Sequence, residues 1–364
     1  MFQRIAIIGV GLIGGSFGLA VKHRSLAKEV VGLDKDRRNL ELALTAGAVH
    51  RVASSLEQAV DGADLVVLAT PVLTGERLLR QLAPLVEKNT IITDVGSTKH
   101  SITVMAEEIL PSGLHFVGGH PMTGSEIAGM KGADPYLFEN AYYILTPTQK
   151  TQSYPLEKVR NLVKAMGARV IELSPKQHDQ TVAVVSHLPH LIACALVNTL
   201  DETPNSGQMS PLAAGGFRDT TRIAAGNPEM WRDIFHSNRG EVLKAIKRFR
   251  ATLDSYQRLI TDADSEKLQQ KLEQARKVRR SLPARSKGYL PALYEVLLTV
   301  PDQPGVIAHF SALLGNKGVN ITDLEILRVR EGQGGTIRLA FATEEEQEEA
   351  VKILGEAGYQ AHVR

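Results

Sequence analysis

The sequence predicts an α/β fold in three parts: a doubly wound, mostly parallel sheet, an all-α region, and a small α+β unit of order βαββαβ. Three observations carry this reading. Short apolar runs alternate with helix-length segments over the first 173 residues, the strand pattern stops at Ser174-Pro175, and it returns for the last 73 residues.

Taken in order, Ile5–Val10, Val30–Leu33, Leu65–Ala69, Thr90–Val95, Phe116–Gly118, Tyr142–Leu145 and Val170–Leu173 read as buried strands. Leu73–Leu85 and Thr98–Leu110 read as helices between them. Strands joined through helices pair in parallel, so residues 1–173 are expected to form the first domain. From 174 to 284 the pattern is helical. Val182, Val185, Leu188 and Leu191 recur at helical spacing, and Asp264–Arg280 carries charges four residues apart. A second domain of this kind pairs across a two-fold axis, which predicts a homodimer. Pro283-Ala284-Arg285-Ser286-Lys287-Gly288 reads as a linker, and the cations around it as a solvated helix end. Residues 292–364 then give strand Tyr294–Val300, helix Gly305–Leu314, strands Ile321–Val329 and Thr336–Ala342, helix Thr343–Leu354 and a last strand at Gln360–Val363. That order is ferredoxin-like.

Composition excludes several classes of function. The 42 basic and 40 acidic residues nearly cancel, so no overall field favours nucleic acid or an anionic membrane. A single cysteine, Cys194, permits no internal disulfide and fits a reducing cytoplasm. No long apolar leader opens the chain and no 18 uninterrupted apolar residues occur, so a soluble cytoplasmic protein is expected.

Gly9-Val10-Gly11-Leu12-Ile13-Gly14 follows a strand and opens a helix, the context that makes this glycine spacing a Rossmann dinucleotide site. Gly9 allows the turn, Gly11 a close backbone approach to pyrophosphate, and Gly14 close helix packing. Leu12 and Ile13 bring backbone N–H groups to the same helix start. Asp34 ends the second strand, where a carboxylate can bind both ribose hydroxyls and oppose a 2′-phosphate, so NAD is expected. Lys35, Arg37 and Arg38 lie just beyond it, where basic side chains can accept that phosphate. Thr70-Pro71, after the third predicted strand, belongs to the same expected cofactor edge.

A cofactor that accepts hydride needs a group to take the departing proton, and His120 in Gly118-Gly119-His120-Pro121 is the first candidate. Ser97, in Asp94-Val95-Gly96-Ser97-Thr98-Lys99, reads either as a ligand group at the sheet's carboxyl edge or as the N-cap of the next helix. Ser186-His187-Leu188-Pro189-His190 with Cys194 gives a metal-like spacing, but nothing completes a ligand set and no metal is expected. Arg218-Asp219-Thr220-Thr221-Arg222 offers arginine forks for a carboxylate, or a surface salt bridge.

These clusters in this order resemble the prephenate dehydrogenase family, on GVGLIGGS, DVGSTK, GGHPMTGSE, SHLPH, GFRDTTRIA and MWRDIF, which cover most of residues 1–290. The tail, with Val300-Pro301-Asp302-Gln303-Pro304-Gly305-Val306 and Gly318-Val319-Asn320-Ile321, resembles an ACT domain. The resemblance implies oxidative decarboxylation of prephenate by NAD⁺ to 4-hydroxyphenylpyruvate. His120 would accept the ring hydroxyl's proton, with Ser97 beside it. His190 and Arg222 would bind substrate, His187 would line the pocket, Ser125 would bind substrate with them, and Glu126 and Asp219 would orient the arginine or gate entry. The ACT resemblance implies tyrosine feedback through Asp302, Gly305, Val306, Asn320 and Ile321. Arogenate dehydrogenase shares the chemistry and stays open. A 3-hydroxyacid dehydrogenase would rely on a helical-domain lysine where this chain has His187 and His190. A non-catalytic NAD and amino-acid sensor would have no use for His120, Ser97, His190 and Arg222 together.

Overall fold

A computed structural model describes residues 1–124, 127–281, 294–301, 303–327 and 335–363. The chain divides into two compact units, Met1–Lys287 and Gly288–Arg364. The sequence-predicted linker and most of the turn at 331–335 lie outside the described residues, as do Ser125, Glu126 and Asp302.

The first unit is built on an eight-stranded sheet. Its strands are β1 (Phe2–Ile8), β2 (Ala27–Leu33), β3 (Arg51–Val52), β4 (Leu65–Leu68), β5 (Ile91–Asp94), β6 (His115–Pro121), β7 (Tyr142–Thr146) and β8 (Arg169–Glu172). Their spatial order is β3-β2-β1-β4-β5-β6-β7-β8. Pairing is parallel except between β6 and β7. Among the described residues no crossover α-helix joins those two strands, which are separated in sequence by Met122 to Ala141. β3, two residues long, is too short to carry a period of two, and the sequence pattern does not show it.

Strand alternation explains the core. In β1, Ile5 and Ile7 pack on one face while Ala6 and Ile8 pack on the other; in β4, Leu65 and Val67 oppose Val66 and Leu68. Each face is then covered by helices, Leu12–His23 and Ser153–Ala165 on the first and Val72–Leu82 and His100–Ile109 on the second. All four strands β1, β4, β5 and β6 end at the same carboxyl edge, so every loop that follows them reaches one crevice.

The helical part starts at Pro175–Val182, whose N-cap Ser174 forms a capping box with Gln177. A π-turn, Ala183–His187, widens the helix before Leu188–Glu202. Pro189 stands in the first turn after it, where its missing N–H costs little. The combined run Pro175–Glu202 is long and apolar enough to cross a membrane by length and composition. It nevertheless buries His178, Asp179, His187 and His190, which tie it to the sheet edge and its neighbouring helices. Helices Pro228–Ser237, Arg239–Thr261 and Ser265–Ser281 follow.

The second unit has strands β9 (Tyr294–Val300), β10 (Asp323–Leu327), β11 (Gly335–Phe341) and β12 (Gln360–Val363), ordered β10-β11-β9-β12 and all antiparallel. Helices Val306–Asn316 and Glu344–Glu356 cover the face carrying Val296, Leu298, Ile337, Leu339 and Phe341. On the other face Arg338 binds Glu325, Glu295 and Asp323 at 2.5–3.0 Å.

Candidate active site

At the end of β1, Gly9 has φ +96°, and a Cβ there would lie 2.4 Å from the Ala69 carbonyl oxygen. A Cβ on Gly14 would lie 1.8 Å from the Gly9 oxygen, so the helix Leu12–His23 packs on the turn only with glycine there. Gly11, its N-cap, faces open space and supplies no capping side chain, and no acidic residue sits in the first turn. The N–H groups of Leu12 and Ile13 open that helix, a ready anion site. Asp34, just past β2, accepts from the backbone N–H of Val10 at 2.8 Å and of Asp36 at 2.8 Å, which holds its carboxylate in place. Beyond β4, the Thr70 hydroxyl is buried with no hydrogen-bond partner, and Pro71 caps the helix Val72–Leu82. An open glycine, an uncapped helix start, an oriented carboxylate and an orphaned hydroxyl on one edge fit a dinucleotide.

The loop after β5 is pinned at both ends. Asp94 accepts from Gly96 N at 2.9 Å and Gly119 N at 3.3 Å, and it forms a buried ion pair with Lys99. Ser97 is half-buried between these anchors. The helix it precedes begins at His100, with Lys99 as N-cap, so Ser97 is not the cap. That helix start is capped from elsewhere in the chain: Asp179 accepts from Lys99 N at 2.8 Å and His100 N at 3.0 Å.

His120, near the carboxyl end of β6, is buried, and its Nδ1 lies 2.8 Å from His178 Nε2. His178 Nδ1 in turn lies 2.7 Å from Asp179 Oδ1. Asn238 donates to the Asp179 carbonyl at 2.8 Å, and its Nδ2 lies 3.2 Å from His187 Nδ1. His190 stacks on Trp231 with ring centroids 3.6 Å apart and an interplanar angle of 9°. Its Nε2 is 3.5 Å from Cys194 Sγ. His187 meets the edge of the same Trp231 ring, with centroids 6.1 Å apart and an interplanar angle of 85°. No group of three or more metal-ligating side chains occurs among the described residues.

Burial keeps these imidazoles neutral. It drives the His120 pKa well below the usual histidine range, helped by the nearby His178, Lys99 and His187. His187 is pushed down to about 4, again mainly by burial. His178 and His190 are lowered for the same reason, against the pull of Asp179 on the first and of the Ile223 backbone on the second. For Asp179, burial would raise the carboxyl, but the hydrogen bonds from His178, His100 and Lys99 outweigh it and hold it low.

Arg222 is exposed at the start of the turn Arg222–Ala225, which packs on the helix Leu188–Glu202. Gly226 closes that turn against Trp231 and His190, since a Cβ there would meet Trp231 Nε1 at 2.7 Å and His190 Cε1 at 3.3 Å. Asp219 is exposed on the preceding helix Gly215–Thr221. In the second unit, Gly305 is left-handed at φ +88° and caps the helix Val306–Asn316; Asn320 is exposed and Ile321 half-buried.

Sequence reading overlooked His178 and Asp179. In Lys176-Gln177-His178-Asp179-Gln180 they look like the polar start of a solvated helix, and only their burial marks them. Asn238 and Trp231 were likewise invisible as partners, although Trp231 lies in a quoted motif.

Comparison with known proteins identifies the family. Residues 17–172 match the family model "Prephenate dehydrogenase, nucleotide-binding domain", residues 174–274 "Prephenate dehydrogenase, dimerization domain", and residues 294–356 "ACT domain". The prephenate dehydrogenase of Bacillus subtilis (strain 168) is 39% identical over 359 residues, spanning 97% of this chain and 96% of its own. The chain belongs to the prephenate dehydrogenase family. Among solved structures of that family, the Aquifex aeolicus enzyme in complex with hydroxyphenyl propionate and NAD⁺ is 34% identical, with a TM-score of 0.73 over 78% of this chain and 99% of that one. Synechocystis arogenate dehydrogenase is 30% identical, with a TM-score of 0.68 over 77% of this chain and 100% of that one.

Proposed function

We propose that the chain catalyses NAD-dependent oxidative decarboxylation of prephenate to 4-hydroxyphenylpyruvate. The observation that carries this reading is a buried, neutral His120 at the carboxyl edge of a dinucleotide-binding sheet, facing a helical segment lined by His187 and His190. Gly9, Gly11, Leu12, Ile13 and Gly14 hold the pyrophosphate, Asp34 the ribose hydroxyls, and Thr70-Pro71 the edge beyond. The Asp34 carboxylate opposes a 2′-phosphate and so favours NAD over NADP. Bound there, NAD⁺ would supply the hydride acceptor for the ring carbon that bears the hydroxyl.

The chain's own residues manage the proton and the charges. His120 accepts the ring hydroxyl's proton, and Ser97 orients that hydroxyl from its pinned loop. Arg222 and His190 bind the substrate's carboxylates, His187 lines the pocket, Ser125 binds substrate, and Glu126 and Asp219 orient the arginine or gate entry. Loss of the ring carboxylate makes an aromatic ring, so the substrate supplies much of the driving force and the protein supplies alignment.

The exposed apolar residues Val184, Val185, Leu196, Val197 and Leu243 of the helical part suit a homodimer interface. The second unit binds tyrosine as feedback effector through the loop at Asp302, Gly305 and Val306 and through Asn320-Ile321. The place of action is the cytoplasm.

The test is NADH absorbance after mixing protein and NAD⁺ with prephenate or with arogenate, each with and without tyrosine. NADH from prephenate, suppressed by tyrosine, supports the whole reading. Turnover of arogenate alone keeps the mechanism and replaces the substrate. Silence with both, from protein that binds NAD, overturns it.

A further inference from the structure

We propose that His178 and Asp179 are a positioning pair that holds His120 with its proton on Nδ1 and its lone pair on Nε2. The inference rests on the reading of His120 as proton acceptor given above. It follows from the order of partners. Asp179 is acceptor-only when ionised, and its oxygens already take the N–H groups of Lys99 and His100. At 2.7 Å from Oδ1, His178 Nδ1 must therefore be the donor. A neutral imidazole carries one proton, so His178 Nε2 is left as an acceptor. The 2.8 Å contact then requires His120 Nδ1 to donate, which leaves Nε2 of His120 bare.

Without this pair a neutral imidazole would distribute its proton between both nitrogens, and the form protonated on Nε2 cannot accept from a substrate hydroxyl. The same arrangement stabilises the product of proton uptake. When the substrate proton arrives on Nε2, the His120 imidazolium donates from Nδ1 to His178, and the charge is balanced through His178 by the Asp179 carboxylate. The helix start at His100 and the backbone N–H groups keep that carboxylate ionised and fixed.

The groups facing this line are few. His178, His187 and Lys99 face His120; Asp179, Lys99 and Asp94 face His178; His190 lies beyond His187. Asp179→Asn removes the carboxylate that is hydrogen-bonded to His178. His120 then becomes a weaker base, so it stays unprotonated to lower pH but takes the substrate proton less readily. The acid limb of kcat/KM should move to lower pH, kcat should fall by roughly a hundredfold, and KM for prephenate should change little.

The direct test is the ¹⁵N spectrum of histidine-labelled full-length protein, with the His120 signals assigned by their loss in His120→Asn. An Nδ1-protonated neutral ring at His120 in the wild type, and a mixed tautomer in Asp179→Asn, is the expected result. An Nε2-protonated His120 in the wild type overturns the proposal, as does an Asp179→Asn variant with unchanged kcat and acid limb. Because Asp179 also caps a helix, that variant can fail to fold, and the wild-type spectrum alone then decides. Absence of NADH from prephenate with the wild type would overturn the enzymatic reading instead, while the tautomer would still be read.

Discussion

At His120 the local environment and the required chemistry agree. A base buried among His178, Lys99 and His187 cannot hold a proton at neutral pH, so its lone pair is available across the physiological range. Replacing it by asparagine keeps the size and polarity of the site and removes the base. His120→Asn should lower kcat by about 10²- to 10⁴-fold while leaving NAD affinity unchanged, measured by NADH formation and by a binding titration. Equal turnover in that variant would remove His120 from the mechanism. His120 drew attention in the sequence because it lies close after the predicted strand Phe116–Gly118; in the structure it lies within β6, near its carboxyl end. His178 drew none, because an imidazole beside a carboxylate in a polar stretch has no signature until another element covers it.

The loop between β5 and the helix His100–Ile109 shows how an element positions a site. Two glycine N–H groups and the Lys99 ammonium converge on Asp94, and Asp179 closes the other end. Removing the cation alone leaves a carboxylate buried and unbalanced. Lys99→Met should therefore cost about 3–5 kcal/mol of stability, read as a lower denaturant midpoint, and should lower kcat through the displaced Ser97. A variant of unchanged stability would mean that the backbone N–H groups suffice to hold Asp94. At the level of elements the sequence was most legible where alternation ran long, as in Tyr294–Val300, which the structure reproduces residue for residue. It was least legible at β3 and at the antiparallel step from β6 to β7. Those depend on how the chain returns, which no local pattern records.

For the whole molecule, the buried histidines make stability depend on acid. In the unfolded chain His187 takes up a proton near its ordinary value of 6.5, whereas in the fold it resists until about 4. Stability is thus fully present above about pH 6.5, and on the order of 3 kcal/mol is lost as pH falls toward 4. His178 and His120 shift in the same direction, so denaturant midpoints measured from pH 7 to 4 should fall steadily, while Asp179, held below its ordinary value of 3.8, adds its loss only below about pH 4. A flat profile would mean these groups are hydrated in solution. The second unit gives a separate expectation. Gly305 needs its left-handed backbone at φ +88°, so Gly305→Val should abolish tyrosine inhibition while turnover in its absence persists. Retained inhibition would place the effector elsewhere. The sequence by itself determined the three-part architecture, the glycine turn with Asp34, and the family of the chemistry. Strand and helix periods and tight turns are written in neighbouring residues. Only the tertiary structure decided which polar groups are buried and which partners they meet, because residues 58 apart become a hydrogen-bonded pair only when a helix closes over the sheet edge.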